Sequence, residues 1–176
     1  MIKNRLYKLV FAAVFLAAAI VLPFLTGQVQ QIGNALCPMH IPVLLCGFFC
    51  GPLYAMSIGF LAPLLRFLVC GMPPLIPIGI PMCFELATYG LVSGCLYRLL
   101  PYKKINVYLS LVAAMIAGRI VWGFVYYILM RMNLTSFGMA AFVSGAFLNA
   151  IPGIIIQLLL IPLLVIKLKK ISRNDA

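Results

Sequence analysis

Residues 41–70 read IPVLLCGFFCGPLYAMSIGFLAPLLRFLVC, an apolar stretch in which Arg66 is the sole charged side chain. How this stretch divides decides the fold. Gly51-Pro52 lies at its centre. Proline fixes φ and removes a backbone donor, so the dipeptide marks either a tight turn between two helices or a sharp kink in one. Read as a turn, it separates a short helix at 41–53 from a second at 54–70. Read as a kink, it leaves one long helix and an odd number of spans.

The flanking charges arbitrate. Further apolar runs occupy about 6–25, 80–100, 107–131 and 138–168, and about 20 apolar residues suffice to cross a hydrocarbon core as helix. With a turn at Gly51-Pro52, three basic clusters share one side of the membrane: Lys3, Arg5 and Lys8; Arg98, Lys103 and Lys104; Lys167, Lys169, Lys170 and Arg173. They hold 10 of the 13 basic residues. The other side has only Arg131, and the segment 26–41 carries no formal charge. A kinked single span would put the clusters on opposite sides. Lys and Arg accumulate in cytoplasmic loops, so the sequence predicts an all-α membrane protein. It is a bundle of six transmembrane helices with both termini cytoplasmic, forming a single domain over 1–176 in a cell membrane.

Composition agrees. Of 176 residues, 65% are hydrophobic and 9% charged, with mean hydropathy +1.18. Soluble domains carry about a quarter charged residues, so much of this surface must face lipid. The net charge of +11 sits at the ends of apolar runs, where juxtamembrane residues belong, which argues against a nucleic-acid partner. Six cysteines (Cys37, Cys46, Cys50, Cys70, Cys83 and Cys95) form no CxxC and read as small packing residues. Cys37 and His40 give only a C-x2-H pair, too few ligands for a metal. The first apolar run is longer than a signal-peptide core and lacks a small-x-small cleavage site, so it reads as a retained helix. No internal repeat supports an inverted-repeat transporter.

Ionisable groups inside a bilayer cost several kcal/mol unless paired or solvated, which makes them functional candidates. The predicted topology places Arg66 near the outer end of the third helix and Glu85 in the first turns of the fourth. Arg119 falls at mid-membrane on the fifth, with Trp122 and Tyr126 further out. Asn149 lies in the outer half of the sixth, and His40 precedes the second. The inner half holds little besides Gln157. Spacing puts Arg119, Trp122 and Tyr126 on one stripe. Glu85, Thr88 and Tyr89 form a second, and Gly145, Asn149 and Gly153 a third. The amide-rich segment 26–38, with Gln31 and Asn34, and the proline-rich segment 70–81 flank this region as lids or as plain connections.

Several residues carry more than one reading. Glu85 pairs with Arg66 or with Arg119, and such a pair also serves to lock the bundle. Arg66 could snorkel to headgroups, Trp122 and Tyr126 could belong to an interfacial aromatic belt, and His40 could cap a loop. Two arginines against one glutamate leave one positive charge, which a carboxylate ligand would offset.

The runs Pro38-Met39-His40-Ile41-Pro42-Val43-Leu44-Leu45, Gly51-Pro52, Gly71-Met72-Pro73-Pro74 and Phe84-Glu85-Leu86-Ala87-Thr88-Tyr89-Gly90 resemble the substrate-binding S components of energy-coupling factor (ECF) transporters. The size and six-helix plan match nearly the whole chain, and the Ile-Pro…Gly-Pro pattern is similar to the riboflavin and pantothenate branch. The resemblance implies capture of a vitamin or related micronutrient outside the cell, with uptake powered by two cytoplasmic ATPases. No cofactor is expected on this chain itself, since ATP is used by the partner subunits and no Walker A loop occurs here. It also implies docking onto a membrane coupling protein through an A-x-x-x-A stripe, matched by Ala13 and Ala17 beside Val10 and Val14. The riboflavin type has an acidic residue before Ile-Pro, where this chain has His40. That departure and the arginine pair point to pantothenate first, then to riboflavin, folate or a queuosine precursor. The expected binding set is Gln31, Asn34, His40, Arg66, Glu85, Tyr89, Arg119, Trp122, Tyr126 and Asn149.

Two other classes compete. An intramembrane enzyme would need a nucleophile with a base, and the chain has one His and a single intramembrane carboxylate. In a purely structural membrane protein, Glu85 and the arginines would only hold helices together.

Overall fold

A computed structural model describes residues 4–26, 38–101, 103–132 and 151–174. Among these the chain is helical, with no strand. The helices are α1 (Arg5–Val21), α2 (His40–Phe49), α3 (Pro52–Cys70), α4 (Ile80–Leu99), α5 (Lys104–Arg131) and α6 (Ile151–Asn174). Four helical stretches are long and apolar enough to cross a membrane: Arg5–Phe24, Pro52–Cys70, Leu75–Leu99 and Lys104–Arg131. Their outer faces carry side chains such as Leu53, Leu68, Ile120 and Phe124, all exposed. A surface that apolar needs lipid or a partner to cover it.

Gly51-Pro52 is a turn. α2 ends at Phe49, the Cys50 and Gly51 amides both return to the Cys46 carbonyl (2.8 and 3.1 Å), and Gly51 takes φ 107°. Only glycine adopts that φ readily. Pro52 then opens α3, where its missing N–H is no loss. The break thus lies at Gly51-Pro52 as predicted, while α2 ends at Phe49 rather than at 53 and α3 starts at Pro52 rather than at 54.

Contacts with α4 set the directions. Along α2, His40 meets Glu85 and Tyr89, Phe48 meets Tyr97, and the Cys50 carbonyl accepts from Arg98. Along α3 the order reverses: Pro52 lies against Gly94, Ala55 against Gly90 and Gly59 against Leu86. So α2 runs parallel to α4 and α3 antiparallel, and the chain reverses at Gly51. These approaches are backbone to backbone. A Cβ on Gly90 would sit 2.5 Å from the Ala55 carbonyl carbon, and one on Gly94 2.7 Å from Pro52 Cα. α5 returns antiparallel to α4, with Gly118 against Tyr89 and Arg119 against Glu85.

Other boundaries shift for local reasons. α1 ends at Val21 rather than 25, because Pro23 cannot donate to the helix, and Leu22–Thr26 continues as a 3-10 turn. α3 stops at Gly71, in the left-handed conformation at φ 68°. α5 begins at Lys104, three residues before the predicted 107, where the Asn106 side-chain amide donates to the Pro101 carbonyl. α6 continues to Asn174, past the predicted 168, while the first part of that prediction, 138–150, lies outside the described residues. With 10 residues, α2 is only about 15 Å long. It starts inside the bundle, level with Glu85 and Tyr89 on α4.

Candidate functional site

The directions just derived gather one end of four helices. His40 opens α2, Arg66 lies in the last turns of α3, Glu85 in the early turns of α4, and Arg119 in the second half of α5. Helical periodicity turns Glu85 and Tyr89, four residues apart, to the same face of α4.

Glu85 is the centre. Its side chain is 3% exposed, and Oε1 accepts the Tyr89 hydroxyl at 2.9 Å and lies 3.3 Å from Arg119 Nη1. His40 Nε2 stands 3.8 Å from the same oxygen, and the imidazole is tilted against the Tyr89 ring with centroids 5.2 Å apart. A carboxylate so desolvated costs several kcal/mol by itself, and the guanidinium and phenol offset much of that. The N-terminus of α2, opened by His40, adds its positive dipole end nearby. Tyr89 reaches Glu85 because Gly118 of α5 leaves room for its ring; a Cβ on Gly118 would collide with the Tyr89 ring carbons. Sequence reading missed Gly118. A glycine four residues before Trp122 on the arginine stripe was the available signal.

One turn beyond Arg119, Trp122 and Tyr126 stack with centroids 5.1 Å apart and planes 17° from parallel. Both are buried, at 7% and 4% exposure. They face into the protein and are not belt aromatics turned to lipid. Their stripe with Arg119 forms as the i, i+3, i+7 spacing predicted.

Arg66 stands apart from this group. It is buried, its Nε donates to the Met72 carbonyl at 3.2 Å, and its guanidinium lies 5.8 Å from the Phe24 ring. It does not snorkel. Glu85 pairs with Arg119, and Arg66 instead ties the 71–79 segment to α3 beside the 22–26 turn. Its Nη1 is buried without a hydrogen-bond partner, as are both ring nitrogens of His40. Thr88 donates to the Phe84 carbonyl of its own helix at 2.7 Å, so its hydroxyl is already engaged. Gln31, Asn34 and Asn149, with Cys37 and Gly145, lie outside the described residues.

The opposite end of the same helices carries Arg98, Lys103 and Lys104, all exposed. There Arg98 Nη2 donates to the Cys50 carbonyl at 3.2 Å, closing the C-terminus of α2. On α1, Ala13 and Ala17 lie on the exposed face with Val10 and Val14, while Ala12 and Ala19 are buried against α2 and α3.

Comparison with protein families gives a match over residues 7–165 to the ECF transporter, substrate-specific component. Searches of curated proteins and of solved structures return no match. The matched span takes in all the helices that carry the Glu85 cluster and the alanine face of α1, and the chain belongs to the family of substrate-specific components of ECF transporters.

Proposed function

We propose that this chain captures a carboxylate-bearing micronutrient, pantothenate-like, at the end of the bundle that holds Glu85 and Arg119. The observation that carries this reading is the cluster of buried His40, Glu85 and Tyr89 with partly buried Arg119, drawn from three helices. Arg66 brings a second cation, a buried one, to the same end, and Glu85, the carboxylate described there, is already engaged by Arg119. A carboxylate on the ligand would restore charge balance in a place where an unmatched charge is expensive. The stacked Trp122 and Tyr126 supply an apolar wall of the kind small-molecule sites use beside a few polar groups. Riboflavin, folate and a queuosine precursor are the alternative ligands.

In this reading the six-helix bundle sits in a bacterial cytoplasmic membrane, the short α2 reaching only part-way across, with both termini and the Arg98–Lys104 end in the cytoplasm. The Glu85 end then faces outward, and Arg66 holds the 71–79 segment through Met72. The exposed Ala13 and Ala17 face of α1 would receive the membrane coupling protein, since small residues let a partner helix approach closely. Two partner ATPases would supply the energy, and this chain would bind no cofactor of its own.

The test is to purify the protein from cells grown in rich medium, denature it and identify released small molecules by mass spectrometry. A carboxylate-bearing vitamin released in stoichiometric amount is the expected result. Recovery of none, with no nanomolar binding across pantothenate, riboflavin, folate and queuine, would overturn the reading. Ala13→Trp or Ala17→Trp should abolish transport and leave binding intact; undiminished transport would refute the docking assignment.

A further inference from the structure

Among the described side chains of α6, Gln157 is the buried polar one, and the site described so far does not use it. It is 2% exposed, and its side-chain carbonyl oxygen has no hydrogen-bond partner. A buried amide oxygen left unsatisfied costs about 1–3 kcal/mol. Nearly all such groups in folded proteins find a partner. An apolar residue would serve the packing better, because Gln157 sits on the face of α6 that carries Ile154, Leu158, Ile161 and Val165. Those side chains belong to or pack on one core cluster that includes Leu44, Ala114, Met115 and Tyr89. The hydroxyl of that tyrosine donates to Glu85. Tyr89 thus links the Glu85 cluster to the core on which this face of α6 packs.

We propose that Gln157 is a specificity residue of the capture site, its side-chain carbonyl accepting a hydrogen bond from an N–H or O–H of the ligand. This rests on the capture reading above and narrows the ligand class. The ligand must carry an anionic group for the arginine end and, apart from it, a hydrogen-bond donor that reaches Gln157. A purely apolar acid, such as a fatty acid, satisfies the first condition and fails the second. Discrimination of this kind is steep, since a donor buried against an apolar side chain is left unpaired.

The test compares wild type with Gln157→Leu and Gln157→Met, two near-isosteric variants lacking the acceptor, as full-length protein in detergent. Pantothenate is titrated first, then riboflavin, folate and queuine, and thermal unfolding is followed on ligand-free protein. Both variants should bind at least tenfold more weakly the probe that wild type binds. Without ligand, they should unfold at the same temperature as wild type or higher, because no internal hydrogen bond is lost. Wild-type affinity in both variants would overturn this proposal while leaving the capture reading intact. Lower unfolding temperature in both with unchanged affinity would mark Gln157 as structural and overturn it too. Failure of wild type to bind any probe would overturn the capture reading, and this proposal with it.

Discussion

The two ends of this bundle are built from the same helices, α2 to α5, and handle their polar groups in opposite ways. At the Gly51 end, side chains close on the backbone: Arg98 on the Cys50 carbonyl, Ser110 on the Asn106 carbonyl at 2.7 Å, Asn106 on Pro101. Gly47 and Gly94 bring α4 into backbone contact with α2 and α3 there, and the α3–α4 contact continues through Gly90 and Gly59 along the bundle. At the Glu85 end, buried groups keep unused hydrogen-bonding capacity, both His40 nitrogens and Arg66 Nη1, as does the Gln157 carbonyl on α6. Satisfied polar groups rigidify a core, and unsatisfied ones raise its energy until something binds them. The difference separates a scaffold from a site, and it can be attacked from either side.

The largest expected effect is at the close α3–α4 contact that runs between the two ends. Gly90→Val places a side chain 2.5 Å from the Ala55 backbone, which no rotamer can relieve. A loss of about 3 kcal/mol or more is expected, seen as loss of monodisperse protein in detergent. Next comes Arg119→Ala, which strands Glu85 in a site where its side chain is 3% exposed. Breaking a buried pair costs about 3 kcal/mol. Adding Glu85→Gln to that variant should recover part of the loss in thermal unfolding, because the stranded charge is then gone. A double variant as unstable as the sum of the singles would show that the pair is not coupled.

Smaller effects sharpen the contrast. Tyr89→Phe removes the 2.9 Å bond to Glu85 and keeps the ring against Gly118. A loss of about 1.5 kcal/mol is expected for a hydrogen bond to a charged group, read as a lowered unfolding midpoint. Arg98→Ala opens one carbonyl at the end of α2, near exposed side chains that water can reach. About 1 kcal/mol or less should be lost there, with ligand affinity unchanged.

Much of this was legible in the sequence because a bilayer leaves few options. Apolar runs of span length, the Gly51-Pro52 break and the one-sided basic clusters led to a helical bundle, and the break proved to be a turn. The polar residues of α2 to α5 were identifiable because an ionisable group in an apolar helix is rare enough to be enumerated. Which residues touch was not legible. Arg66 and Arg119 are equal candidates for Glu85 by composition. Only the antiparallel register of α4 and α5 brings Arg119 to it, while the 71–79 segment draws Arg66 to Met72. The room that Gly118 leaves for Tyr89 depends on that same register. Gln157 was visible as a lone amide, but its missing partner is a property of packing.

The central claim is that ligand is held at the Glu85 end and that the Gly51 end is its scaffold. The most direct measurement is a pantothenate titration by calorimetry on wild type, Arg119→Ala and Arg98→Ala, each shown to be folded. Arg119→Ala should weaken binding at least tenfold, about 1.4 kcal/mol, and Arg98→Ala should leave it unchanged. Equal affinity in wild type and Arg119→Ala, or a loss confined to Arg98→Ala, would contradict the account.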